Sequence, residues 1–134
     1  MARPRARLLA AVAVLGTLLA ACGSQDISLD EGETQANRTA ARIFVDKFAG
    51  CHTLDVVGAQ GSSVNVSDKE RVDGPNFNVR KEEVDQVLYA IRNGGFSGAI
   101  MPENMLVGRE AQLVADFLAK YSGRKSTGNA STGN

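Results

Sequence analysis

Three stretches of the 134-residue chain carry apolar residues three and four positions apart, and long segments rich in Gly, Ser, Asp and Asn separate them. That alternation constrains the fold more than any other feature. Each stretch is an amphipathic helix with one face to bury, so the three must share a single core in an all-α domain. The first runs from Gln35 to Phe48, with Ala36, Ala40, Ile43, Phe44 and Phe48 on its stripe, and Gly50 ends it. The second spans Lys81 to Arg92, with Val84, Val87, Leu88 and Ile91 apolar and Asn93-Gly94-Gly95 as a stop. The third spans Arg109 to Tyr121, with Leu113, Val114, Phe117, Leu118 and Tyr121 apolar, and Gly123 closes it. Between the first two helices, 55–74 reads as a long surface loop with a short hairpin at Ser63 to Val66, followed by a Gly74-Pro75-Asn76 turn. Gly98 and Met101-Pro102 mark the second loop. The charges at Lys81, Glu82, Glu83 and Asp85 read as a solvated helix face with favourable negative charge near its N-terminus.

The two ends have a different character. Arg3, Arg5 and Arg7 precede an apolar run from Leu8 to Ala21, too short to span a bilayer comfortably, which is the pattern of an export signal over residues 1–21. The run ends in Leu19-Ala20-Ala21-Cys22, which resembles the bacterial lipobox. That resemblance implies acylation of Cys22 and an exported protein held by membrane lipid, on the outer face of the cytoplasmic membrane or in the periplasm. Residues 22–34 then form the acylated cysteine and a polar, acidic, flexible tether. The folded unit covers 35–123. Residues 124–134, with the unit Ser-Thr-Gly-Asn at 126–129 and again at 131–134, contain nothing to build a core and read as a disordered tail. The chain has 15 basic and 15 acidic residues, and loss of the three leader arginines leaves 12 against 15. A mildly acidic domain without a basic patch excludes nucleic acid as a partner.

The chain has two cysteines. With Cys22 acylated, Cys51 is a single thiol in an oxidising compartment, which calls for intermolecular pairing or covalent modification. Its neighbour His52 is the one histidine present. There is no Ser/His/Asp set and no phosphate-cradling glycine loop, and one histidine leaves little material for acid–base catalysis.

The run from Phe44 through Cys51-His52-Thr53-Leu54 resembles the haem-attachment segment of class I c-type cytochromes. In that family a helix leads into Cys-x-x-Cys-His, whose cysteines bond the haem vinyls and whose histidine is the proximal iron ligand. Phe48 stands where the first cysteine belongs, so the resemblance implies one thioether, through Cys51, with His52 as ligand. Gly74-Pro75-Asn76-Phe77 is similar to the family's Gly-Pro-Asn-Leu turn, which implies that the Pro75 carbonyl accepts a hydrogen bond from His52 and fixes its tautomer. The Val84–Ile91 helix with its glycine turn, then Ala99-Ile100-Met101-Pro102, resembles the approach to the distal ligand, implying Met101 on the sixth position. Val114-Ala115-Asp116-Phe117-Leu118 resembles the C-terminal helix that crosses the first helix, where Ala40 and Ala41 occupy a region often held by glycine. Beyond the leader, Met101 and Met105 are the methionines that remain. Met101, beside Pro102 in a glycine-flanked loop, is favoured as ligand, and Met105, before Leu106-Val107, reads more simply as packing.

The resemblance spans roughly residues 40–123. It implies an all-α, cytochrome c-like fold with three main helices and long loops around one haem c, attached through a single thioether. The implied function is that of a membrane-anchored electron carrier and not an enzyme, exchanging single electrons with redox proteins of a membrane electron-transport chain. Two other readings stay open: a haem-free lipoprotein with a degenerate version of this fold, and a haem sensor or peroxidase-like protein with a displaceable Met101.

Overall fold

The computed structural model describes residues 26–63, 66–70, 72–95 and 101–124. The export leader, Cys22, most of the tail and Ala99-Ile100 lie outside the described residues. Among those described, three α-helices and one two-stranded hairpin make up the regular structure: α1 (Gln35–Lys47), β1 (Thr53–Leu54), β2 (Ala59–Gln60), α2 (Val84–Asn93) and α3 (Gly108–Tyr121). No helix among them is long and apolar enough to cross a membrane.

Helix α1 starts where Thr34 Oγ1 accepts a hydrogen bond from Asn37 N at 3.2 Å. Its buried face begins at Ala40 and continues through Ala41 and Phe44, whereas Ala36 is exposed. Helix α3 packs on both α1 and α2. Small residues lie buried on both sides of this packing, Ala40 and Ala41 on α1 and Ala111 and Ala115 on α3, alongside Phe44, Val114 and Phe117.

Helix α2 begins at Val84, three residues later than the periodicity suggests. Glu83 is its N-cap and forms a capping box with Gln86. Lys81 and Glu82 therefore belong to the preceding extended segment. Glu82 is buried, against the expectation of a solvated face, because its backbone N–H donates to the buried Ser122 Oγ at 2.9 Å and draws the segment against the end of α3. Gly123 N donates to Phe77 O at 2.8 Å and strengthens the same seam.

Residues 64–65 of the hairpin expected at Ser63 to Val66 lie outside the described residues, and the hairpin seen lies earlier in the chain. It pairs Thr53 with Gln60 and Leu54 with Ala59, around a 3₁₀ turn at Asp55–Val57. Val66 instead opens a second 3₁₀ turn, Val66–Asp68. Reciprocal bonds, Thr53 N to Ser62 Oγ and Ser62 N to Thr53 Oγ1, both at 3.0 Å, hold the hairpin where its apolar residues reach the core. The segment ahead of α1 is also docked. Ser28 N donates to Val56 O at 2.8 Å, Leu29 packs against the core, and Glu33 bonds Lys120 and Tyr121 at the end of α3. Contacts with the folded unit thus extend back to Ser28, into the stretch read as a tether.

Candidate functional site

Helix α1 gives way to a tight turn at Phe48, whose carbonyl accepts from both Cys51 N at 3.1 Å and His52 N at 2.9 Å. The turn delivers Cys51 half-exposed and His52 buried, side by side in sequence but in different surroundings. The His52 strand is then joined by the 74–77 segment. Gly74 N donates to Cys51 O at 2.6 Å, Phe77 N donates to Thr53 O at 2.9 Å, and Thr53 and Asn76 form a parallel bridge.

This pairing determines what happens to the imidazole. His52 Nδ1 lies 3.2 Å from the Pro75 carbonyl oxygen. A carbonyl only accepts, so Nδ1 carries the proton and the lone pair belongs to Nε2, which has no hydrogen-bond partner among the described residues. The ring stacks on Phe77 with centroids 4.7 Å apart and planes within 6°. Phe44 and Phe48 flank it at 6.5 and 6.4 Å. Gly74 lies so close that a β-carbon there would come within 2.3–2.6 Å of three ring atoms. Burial pushes the imidazole below its ordinary pKa of 6.5, the Pro75 bond works in the opposite direction, and the charge of Arg80 adds to the lowering. His52 is held neutral, in one tautomer and one orientation.

A cavity opens beside this ring. Phe48, Cys51, His52, Pro75, Met101 and Met105 all line it, together with Phe44 from α1, Val87 and Ile91 from α2, and Val114 and Leu118 from α3. The space between these walls is about 950 Å³ with the part open to solvent included. The lining is mostly aromatic and aliphatic, as in sites for apolar ligands. The loop that carries Met101 is tied to the end of α2 by bonds from Asn104 N to Arg92 O and Met105 N to Ile91 O, both at 3.2 Å. Gly94, at φ +82°, allows that approach, since a β-carbon there would meet Met101 O at 2.7 Å.

The residues singled out from sequence between Phe48 and Met101 thus line one cavity, and Met105 joins them. Sequence reasoning missed Phe77 as the stacking partner, Gly74 as the space for the ring, and the Arg80–Glu82 pair that also lines the cavity. Phe77 and Gly74 flank Pro75 and could have been suspected from that position. The burial of Glu82 had no sequence signal. Among the described residues, no three His, Cys, Asp or Glu side chains come together to hold a metal ion. No protein-family model matches the chain, and no curated protein matches it significantly.

Proposed function

We propose that the chain is a membrane-anchored, monohaem electron-transfer protein with a cytochrome c-like fold, with His52 and Met101 as axial ligands and Cys51 as the single covalent attachment. The observation that carries this reading is the unpartnered Nε2 of a fixed, neutral His52 on the wall of an apolar cavity that also holds a thiol and methionine thioethers. A bare cation would need three or four protein donors, whereas a haem brings four equatorial nitrogens and needs only two axial ones. The donor set therefore suits a haem better than a free metal ion. Once bound, that haem supplies a reversible one-electron change at its iron.

The chain's own residues do the rest. Pro75, Phe77 and Gly74 hold the imidazole in the orientation a ligand needs. Phe44, Phe48 and the aliphatic wall exclude water, and a methionine ligand raises the potential further. Phe48, at the place of the missing attachment cysteine, packs edge-on to His52 and 5.7 Å from Phe44, so it acts as part of the wall. Acylation at Cys22 would keep the carrier close to redox partners in the membrane.

The test is expression with the native leader alongside haem-attachment factors, then visible spectroscopy. A Soret band, with haem that survives acid–acetone extraction, is expected. His52→Ala shifts or removes the band, and Met101→Ala lowers the midpoint potential while Met105→Ala leaves it in place. A colourless protein, or an unchanged spectrum in His52→Ala, overturns the proposal. A potential that falls only in Met105→Ala moves the ligand to that residue.

A further inference from the structure

Among the described residues, Glu82 is a buried acid on the cavity wall that the proposed function leaves without a role. It is 5% exposed, lines the cavity, and its Oε1 is buried without a hydrogen bond. Arg80 Nε lies 2.6 Å from that oxygen, at an angle that makes an ion pair but no hydrogen bond. The Arg80 side chain is half-exposed, so solvent screens its charge. A carboxyl placed in this way has an incomplete partner set on the edge of an apolar space, a setting in which small changes in local charge move protons.

The groups around it are few. Arg80 is the charge that acts on Glu82, the end of α3 contributes the uncharged Ser122 hydroxyl to its backbone N–H, and Lys47, Cys51 and His52 are the other titratable groups on the cavity wall. Burial raises the Glu82 carboxyl above its ordinary 4.5, and Arg80 only partly opposes this. Arg80 also acts on His52, so the acid, the arginine and the imidazole form one electrostatic neighbourhood.

We propose that Glu82 is a proton-binding site linked to electron uptake in the cavity beside it. This inference rests on the haem reading above. When a one-electron donor protein reduces the site, positive charge is lost beside Glu82, and within the window where it titrates its carboxylate takes up part of a proton from solvent on average. When the electron leaves for an acceptor, the proton returns to water. Electron and proton are partly coupled in this window, so the change in charge of the buried site is partly offset.

The sign follows directly. Oxidation favours the carboxylate, so the midpoint potential falls as pH rises through a window above 4.5. A unit charge within about 12 Å, at an effective dielectric near 20, changes a proton affinity by roughly tenfold. For a one-electron couple, a tenfold change corresponds to about 59 mV between the acid and alkaline plateaus. Spectroelectrochemical titration of the haem-loaded protein between pH 4.5 and 9 should show that fall, and Glu82→Gln should remove it. The reduced-minus-oxidised infrared difference spectrum should show a protonated-carboxyl band that is lost in Glu82→Gln. Arg80→Gln, which keeps the acid and removes its counter-charge, should move the window to higher pH. A coloured wild type with a pH-independent potential, a slope retained in Glu82→Gln, or an unmoved window in Arg80→Gln overturns this inference and leaves the haem reading standing. A colourless wild type overturns both.

Discussion

Replacing Gly74 by alanine drives a methyl group into the imidazole of His52. The new β-carbon would meet Cε1, Nδ1 and Nε2 at 2.3, 2.5 and 2.6 Å, well inside van der Waals contact. The ring can move only toward the cavity it lines, and doing so breaks the contacts that hold it. The ring is stacked on Phe77, flanked by Phe44 and Phe48, and bonded to Pro75, while the Gly74 backbone is held to Cys51 O at 2.6 Å. Gly74 is not among the glycines with positive φ, so alanine carries no backbone strain of its own and the cost comes from the ring. Overpacking of this kind costs about 1–3 kcal/mol. Displacing the ring also forfeits the Pro75 hydrogen bond, about 0.5–1.5 kcal/mol. The two together come to about 1.5–4.5 kcal/mol, which in a domain of this size lowers Tm by roughly 6–36 °C. Thermal unfolding followed by circular dichroism measures this without haem, and NMR of the single imidazole reports its displacement. A variant that melts within about 3 °C of wild type with unshifted His52 resonances would refute the cradle argument.

Phe48→Cys should destabilise the haem-free chain by on the order of 3 kcal/mol, since it removes a buried ring from the Phe44–His52 cluster; denaturant unfolding measures the loss. With attachment factors present, the same variant should retain more haem through acid–acetone extraction, and equal retention would show that the second attachment position is unused. Glu33→Gln should flatten the acid side of the stability profile. Bonds from Lys120 first, then Tyr121 and Asn37, hold the Glu33 carboxyl far below its ordinary 4.5. A depressed carboxyl adds stability above the unfolded value, and that stability is lost progressively as pH falls below about 4.5. Unfolding midpoints at pH 7 and pH 3.5 should therefore differ less in the variant than in wild type, and an equal difference would remove Glu33 as a clamp.

The helices were legible because their signals are local. The stripe at Ala40, Phe44 and Phe48, the Asn93-Gly94-Gly95 stop, and the Val114–Phe117–Tyr121 face each follow from a 3.6-residue period and from backbone stops that act within a turn. The start of α2 was misjudged because charges at Lys81 and Glu82 look the same on a helix and on an extended strand. Ser122, forty positions away, decides between them by accepting the Glu82 N–H. The β1–β2 hairpin escapes the sequence for a similar reason: Thr53 and Leu54 are too few to show a period, and Ser62 and Asn76 hold them in place from outside.

Residue type and near-neighbour spacing are enough to specify three amphipathic helices, an order of turns, and the adjacency of one thiol and one histidine. Which nitrogen of His52 keeps its lone pair, the meeting of Met101 and Met105 in its cavity, and the burial of Glu82 beside Arg80 depend on long-range packing. Those properties arise where segments far apart in the chain meet. There, burial and carbonyl direction set the chemistry, and neither is encoded in any short stretch of residues.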